Sequence, residues 1–412
     1  MKQIRQHVAG LDVHRDTVVT CCRVNEPDGS LSIAKESFST TSLGLRKLAG
    51  FLTEHSVKTV AMEATGVYWK PIYYALEPLF EEVWLCNAQH VKNVPGRKTD
   101  LSDAEWLADV AAHGMVRPSF VPPPKIRELR DLTRYRKTQV DARVREIQRL
   151  EKVLQDACIK LTSVASGVWS KSSKEIIEAM IAGERDPKIL AELAKSRLRS
   201  KITKLTEALD GHFSEHHGDL CRQIIHQIES IDETISNLTE TIAEKFIPFE
   251  PQLEVLSSIP GVSVITAEVI IAETGGNMKQ FPTAEHLCAW AGVAPASYES
   301  AGKHKPVHTR HGAPNLKRAL VEAARTAART KNTYFSAQYS RIARRRGPNK
   351  AAMAVAHSIL SVSWHLLTTG QIYEDPGSDY FTLILDPKRE AKRLTSKIEQ
   401  LGYEVTLTKI PA

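Results

Sequence analysis

Long apolar runs are scarce in this chain of 412 residues. The run Val262 to Ala272 is broken by Thr266 and Glu268 and is far shorter than the roughly 20 residues a membrane helix needs. The expectation is therefore a protein with no membrane span. The first residues, Met1 to Gly10, are polar and basic and lack the apolar centre of a secretory leader. Cysteine is sparse as well. The six (Cys21, Cys22, Cys86, Cys158, Cys221, Cys288) show no C-x-x-C spacing. That argues against a zinc site and a disulfide frame, and for reduced thiols in a cytoplasmic protein. Acid is nearly missing from one stretch. Between Lys303 and Lys350 there are thirteen Lys/Arg against the single acid Glu322.

What is present is an ordinary globular composition, 42% hydrophobic and 25% charged. The length allows two or three domains, each with its own core. A net charge of +7 favours a polyanionic partner.

The chain is organised around Gly96-Arg97-Lys98-Thr99-Asp100-Leu101-Ser102-Asp103-Ala104. The stretch from Ala104 to Ala112 has no Gly or Pro, so the two acids open a helix. Asp100 and Asp103 are three apart and share a helical face, where they repel unless a cation lies between them. Arg97 and Lys98 can offset that charge or hold a phosphate. The plain alternative is an acid-rich first turn favoured by the helix dipole.

Upstream, residues 7–13, 17–24 and 31–37 read as strands separated by turns at His14-Arg15-Asp16 and Asn25-Glu26-Pro27-Asp28-Gly29. Helices are expected over 43–54 and 68–80, and strands over 58–62 and 82–86. A meander followed by alternating helix and strand implies a mixed α/β sheet. Asp12 ends the first strand and Glu63 ends the fourth, where such sheets place ligand groups. Taken singly, these are a turn aspartate and a helix-capping acid. If the strands are neighbours, four acids converge, and hard oxygen donors suit Mg²⁺ or Mn²⁺. Two such ions about 4 Å apart serve phosphodiester chemistry.

Past the proline-rich 118–124 linker, residues 125–161 contain no Gly or Pro and carry eleven Lys/Arg against six acids. They read as one helix of roughly 55 Å. Its basic excess reads as a nucleic-acid track in preference to a solvated face. A second long helix, 219–246, carries a seam of Ile224, Ile228, Ile231, Ile235, Leu238 and Ile242. An intramolecular hairpin and an intermolecular coiled coil stand level. Leu253 to Ala272 reads as helix, Pro-Gly turn, helix. This is like a helix-hairpin-helix, whose turn can hold a phosphate or can simply pack. In the basic segment, Lys303, Lys305, Arg310, Lys317, Arg318, Arg344, Arg345 and Arg346 are the expected backbone contacts. His304, His308 and His311 have no acid or Cys to complete a zinc site, and Tyr334, Phe335 and Tyr339 read as core. Residues 350–369 form an apolar closing helix, and 379–408 read as strand, helix, strand.

Three of these elements together resemble a known family. Gly10-Leu11-Asp12, Glu63-Ala64-Thr65-Gly66 and Arg97 to Ala104 look like the motifs of the DEDD, RuvC-like domain of the insertion-sequence "IS one-ten" transposases, which include the pilin-gene invertases. Downstream, Ser258 to Val262, Leu287 to Pro295 and Tyr298-Glu299-Ser300-Ala301-Gly302 look like that family's C-terminal domain. The likeness covers nearly the whole chain in the expected order.

The resemblance implies an RNase H-like fold at the N-terminus, with Asp12, Glu63, Asp100 and Asp103 as ligands of Mg²⁺ or Mn²⁺. It implies Ser300 as a nucleophile in DNA transposition, and a homo-oligomer, dimer or tetramer, in which one subunit's acidic domain meets another's serine domain. It further implies guidance by a structured non-coding bridge RNA, of which the residues themselves carry no sign. The expected organisation is a catalytic domain over 1–117, a linker and coiled coil over 118–247, a mainly α serine domain over 248–370 and a small tail over 371–412. Two alternatives stay open: a metal-dependent nuclease that resolves junctions by hydrolysis, and an inactive nucleic-acid-binding scaffold.

Overall fold

The computed structural model describes residues 3–64, 66–92, 94, 102–295, 299–300, 303–304, 309, 312–383 and 387–408. The chain forms two units, Met1–Val121 and Pro122–Ala412.

The first unit is built on five strands: β1 (His7–Val13), β2 (Thr17–Asn25), β3 (Leu31–Ser39), β4 (Thr59–Glu63) and β5 (Glu82–Cys86). Their order is β3-β2-β1-β4-β5. The first three form an antiparallel meander, while β4 runs parallel to both β1 and β5. Between them lie α1 (Ser42–Glu54), α2 (Trp69–Leu76), the short α3 (Ala88–Lys92) and α4 (Asp103–Ala112). The expectation for α2 ran to residue 80. The helix stops at Leu76, with Glu77 as its cap, because Pro78 has no N–H to continue the ladder of backbone hydrogen bonds.

Strand alternation divides the sheet into two faces. Ala9, Leu11 and Val13 of β1 join Val60 and Met62 of β4 under Leu45, Leu48 and Leu52 of α1 and Ile72 and Leu76 of α2. On the other face, Val8, Ala61, Trp84 and Cys86 pack against Trp106, Leu107, Val110 and Ala111 of α4. The start of the expected linker belongs to this unit. Ser119 N–H donates to Leu85 O at 2.7 Å, and Val121 packs against the α1/α2 core.

The second unit opens with α5 (Pro124–Asp156), which begins at a proline whose missing N–H costs nothing at that position. It ends short of the expected Leu161 because Cys158 takes a left-handed backbone, φ 60°. A small bundle follows: α6 (Lys171–Ile181), α7 (Pro187–Glu192) and α8 (Ile202–Leu209). Its core joins Ile176, Ile177, Leu205 and Leu209 to Leu150 and Leu154 of α5. The long α9 (Glu215–Phe246) then returns antiparallel along α5. Ion pairs mark the register, with Lys245 on Glu128 at 3.0 Å, Arg143 on Asp232, and His217 on Asp156 at 3.2 Å. Of the expected seam, Ile228, Ile231 and Ile242 are buried, while Ile224, Ile235 and Leu238 are half-buried. These helices therefore pair within the chain.

The remaining helices are α10 (Glu250–Ser257), α11 (Val264–Thr274), α12 (Ala284–Ala291), α13 (Pro314–Ala327), α14 (Tyr334–Arg346), α15 (Pro348–Thr369), α16 (Tyr380–Leu383) and α17 (Pro387–Glu399). Between α12 and α13 lies a two-strand ribbon, β6 (Glu299–Ser300) and β7 (Lys303–His304). The turn between α10 and α11 is a packing turn. Ile259 and Val262 are buried. A Cβ on Gly261 would sit 2.5 Å from Ala323 O and 2.6 Å from Ala327 N on α13. By length and composition α15 could cross a membrane, but Ala352, Val355, Ala356, Ile359 and Leu360 are buried inside this unit. The tail keeps its expected central helix as α17, but the short helix α16 stands where the first strand was expected, and no strand forms among the described residues of 379–408. Among the described residues no sheet edge lies there to receive a strand, and Tyr380 and Phe381 pack instead on Tyr334, with ring centroids 5.0 and 5.1 Å away.

Candidate catalytic edge

The acidic edge follows from the pleat. On β1, Val8 and Gly10 face α4, so Asp12, two further along, shares that face. On β4, Ala61 faces α4 and Glu63 follows by the same alternation. Leu11 pairs with Met62 in parallel register, which puts Asp12 and Glu63 side by side one residue further on. Both acids are half-buried. Sequence reasoning reached this neighbour relation only as a condition, and the sheet order supplies it.

The third acid arrives on α4. Ile4 and Arg5 N–H both donate to Ala112 O, at 2.9 and 3.1 Å, which ties the helix end to the start of the sheet. Further along, a Cβ on Gly10 would lie 2.1 Å from Ala104 O and 2.5 Å from Ala108 N. The helix therefore runs antiparallel to β1, and its first residue, Asp103, comes to the level of Asp12. Ser102 caps the helix by accepting from Glu105 N–H at 3.4 Å. Acids in the first turn suit the helix dipole.

Ion pairs hold α4 over the sheet: Lys35 of β3 on Glu105 at 2.5 Å and Arg23 of β2 on Asp109 at 3.2 Å. The hydrogen bond to Glu105 keeps the Lys35 ammonium above its usual range. His14 Nε2 lies 3.2 Å from Asp12 Oδ2. Burial, and then the charge of Glu63, pushes the Cys86 thiol up to about 12. The thiol therefore stays protonated beside the acids. What the edge offers is carboxylate oxygen, a donor set that fits a hard divalent ion.

Asp100, Arg97 and Lys98 lie outside the described residues. Among the described residues no three His, Cys, Asp or Glu side chains form a group able to hold a metal ion. Asp12, Glu63 and Asp103 share one face and one edge without closing into a ligand cage.

In the second unit, Ser300 pairs with Lys303 and Glu299 with His304, so Ser300 stands beside the turn of the ribbon. The side chains of Ser300 and Lys303 are not described, and Lys305 and Arg310 lie outside the described residues. Lys317 donates to Thr309 Oγ1. Arg318 makes a two-pronged ion pair with Asp141 of α5, 2.6 and 2.8 Å, and reaches Glu322 at 3.4 Å. That guanidinium joins two helices. Arg344, Arg345 and Arg346 differ: they are exposed at the end of α14, with no acid partner among the described residues.

The basic face of α5 has a role that sequence reasoning missed. Arg136 pairs with Glu268 of α11, both buried. Arg134 grips Glu273 with two bonds of 2.7 and 2.8 Å. Arg130 donates to Ala272 O at 3.1 Å and Glu273 O at 2.6 Å, satisfying carbonyls at the end of α11. These arginines hold the fold and form no open track. The available signal was the acid placement, Glu268 and Glu273 inside an otherwise apolar run.

Comparison with known proteins matches two segments of the chain. A DEDD transposase model of the IS110 type matches residues 9–159, and one described as the transposase IS116/IS110/IS902 family matches residues 253–340. A putative transposase y4pF/y4sB of Sinorhizobium fredii is 25% identical over 339 residues, 80% of this chain and 78% of that one. The transposase for insertion sequence element IS1111A of Coxiella burnetii is 24% identical over 385 residues, 90% of this chain and 92% of that one. An uncharacterized 43.6 kDa protein of insertion element IS110 from Streptomyces coelicolor is 37% identical over 131 residues, 30% of this chain and 31% of that one. With both matched segments carrying the acidic edge and the serine ribbon in turn, the chain belongs to the IS110 family of DNA transposases.

Proposed function

We propose that this transposase cuts and rejoins DNA strands through Ser300, with Asp12, Glu63, Asp100 and Asp103 holding Mg²⁺ or Mn²⁺, under guidance of a structured bridge RNA. The observation that carries the reading is the placement of Asp12, Glu63 and Asp103 on one face at one sheet edge. The sheet order β3-β2-β1-β4-β5, with an antiparallel meander and parallel β4 and β5, suits an RNase H-like assignment. When bound, a divalent ion there neutralises charge developing on a phosphate and eases deprotonation of a nucleophilic hydroxyl.

The Ser300 Oγ forms a bond to phosphorus as the bond to the departing strand's oxygen breaks, and that oxygen leaves as a hydroxyl. The phosphoserine keeps the phosphodiester energy, so a second strand can be joined without an outside source; hydrolysis would lose it. The ribbon beside Ser300 leads into the basic α13–α14 segment, whose exposed Arg344, Arg345 and Arg346 suit backbone phosphates of DNA or RNA. We assign the active species as a homo-oligomer in which the acidic edge of one subunit serves the serine of another.

The test is a denaturing gel of the protein with labelled DNA, Mg²⁺ and the RNA that co-purifies with it. A protease-sensitive protein–DNA adduct is expected for the wild type and not for Ser300→Ala, which still binds DNA. Strand exchange by Ser300→Ala at the wild-type rate would turn the assignment to a hydrolytic nuclease.

A further inference from the structure

The small bundle between α5 and α9 has a cavity of about 370 Å³ lined by Ser163, Val164, Ser200, Lys201, Thr203 and Lys204. Two side chains on its wall are cationic, three are hydroxyls, and none is acidic. The surrounding sequence is unbalanced in the same sense. From Leu193 to Thr206 there are five Lys/Arg and no acid. Two of these are already engaged, Lys195 by Glu175 at 2.5 Å and Arg199 by Glu192 at 3.4 Å. Arg197, Lys201 and Lys204 have no ion pair among the described residues.

The donors can be counted group by group. Ser163 donates its hydroxyl to Lys160 O at 2.7 Å and Ser200 to Arg197 O at 2.9 Å, so these two shape the wall. Lys201 Nζ donates once, to Val164 O at 3.3 Å, which holds the ammonium at the rim with two N–H bonds to give. Lys204 has all three, and the Thr203 hydroxyl has no partner among the described residues. Five free ammonium N–H bonds and one hydroxyl thus meet in a concave, acid-free site, the chemistry that receives a tetrahedral oxyanion. No aromatic ring lines the cavity, so no base can stack there, and recognition is confined to the backbone.

We propose that this cavity binds a backbone phosphate of a nucleic acid through Lys201, Lys204 and Thr203, making the bundle a second grip apart from the α14 arginines. The proposal rests on the nucleic-acid reading of the protein, and its test separates the two.

The full-length protein is titrated by fluorescence anisotropy against a labelled DNA duplex and a labelled RNA hairpin between 50 and 200 mM salt. For a Lys201→Gln/Lys204→Gln variant the logarithmic salt slope becomes shallower by about 1.8 on duplex, so the affinity lost across that range shrinks about tenfold. The arm that responds identifies the polymer held. Lys201→Arg/Lys204→Arg keeps the wild-type slope. Thr203→Val, nearly isosteric, weakens binding about fivefold with the slope unchanged. An unchanged slope for the glutamine variant in both arms overturns this site alone, provided the wild type binds. A wild type that binds neither polymer overturns the nucleic-acid reading with it.

Discussion

Replacing Gly10 by alanine tests how the acidic edge is built. The added Cβ would lie 2.1 Å from Ala104 O, against the 3.4 Å at which ordinary contact begins, so α4 must lift by about 1.3 Å. The neighbours are helix backbone, which cannot rotate out of the way as a side chain can. Overpacking of this kind costs about 1–3 kcal/mol. In a unit of this size that lowers the melting temperature by roughly 4 °C per kcal/mol. The displacement carries Asp103 away from Asp12, and an error of about 1 Å in a catalytic group costs on the order of a hundredfold in rate.

The expected result is strand cleavage reduced about a hundredfold at a temperature where circular dichroism shows the variant folded, with nucleic-acid affinity unchanged. Gly50→Ala is the control. Gly50 lies in α1 with nothing within 4 Å of its added Cβ, so alanine there should stabilise by about 0.5–1 kcal/mol. If Gly10→Ala melts and cleaves like the wild type, α4 does not seat on β1 as described and the edge argument fails.

Other outcomes follow from the same structure. Neutralising Arg344, Arg345 and Arg346 together should flatten the salt dependence of binding by about one unit per lost contact, whereas Arg318→Gln should lower the melting temperature and leave the slope alone. Glu268→Ala leaves the Arg136 charge buried and unpaired, and should cost about 3–5 kcal/mol in denaturant unfolding; a loss near zero would mean that the pair is solvated. Mixing Asp12→Asn with Ser300→Ala protein should restore strand exchange that neither has alone, and no recovery at any ratio would refute catalysis between subunits. A native thiol reagent should modify Cys158 first. It is the exposed cysteine, while burial pushes the Cys22 and Cys288 thiols up to about 12.

The carboxylates were legible in the sequence because strand ends are marked by local signals, the short apolar stretches before Asp12 and Glu63 and the turn chemistry after them. That Asp103 joins them depends on Gly10, which reads in the sequence only as part of a short motif. The close approach it permits is a property of two elements nearly a hundred residues apart. The arginines of α5 show the same limit in reverse. A positive excess on one helix gives no indication of which acids on another helix it meets, and here Glu268 and Glu273 take it inward. The tail misled for a different reason. Its apolar alternation suits a strand, but a strand needs an edge to pair with, and aromatic packing on Tyr334 gave those residues another place to bury.

The antiparallel pairing of α5 and α9 has a metric consequence. At 1.5 Å per residue, the 33 residues of α5 measure about 50 Å. One end of this rod is seated on α11, and the other carries the α6–α8 bundle with its lysine cavity. At about 3.4 Å per base pair, that span equals roughly 15 base pairs of duplex. If the lysine cavity holds a strand, the length of the rod sets how far that contact stands from the α11 end, and shortening the rod by whole turns would move it without touching the acids or the serine.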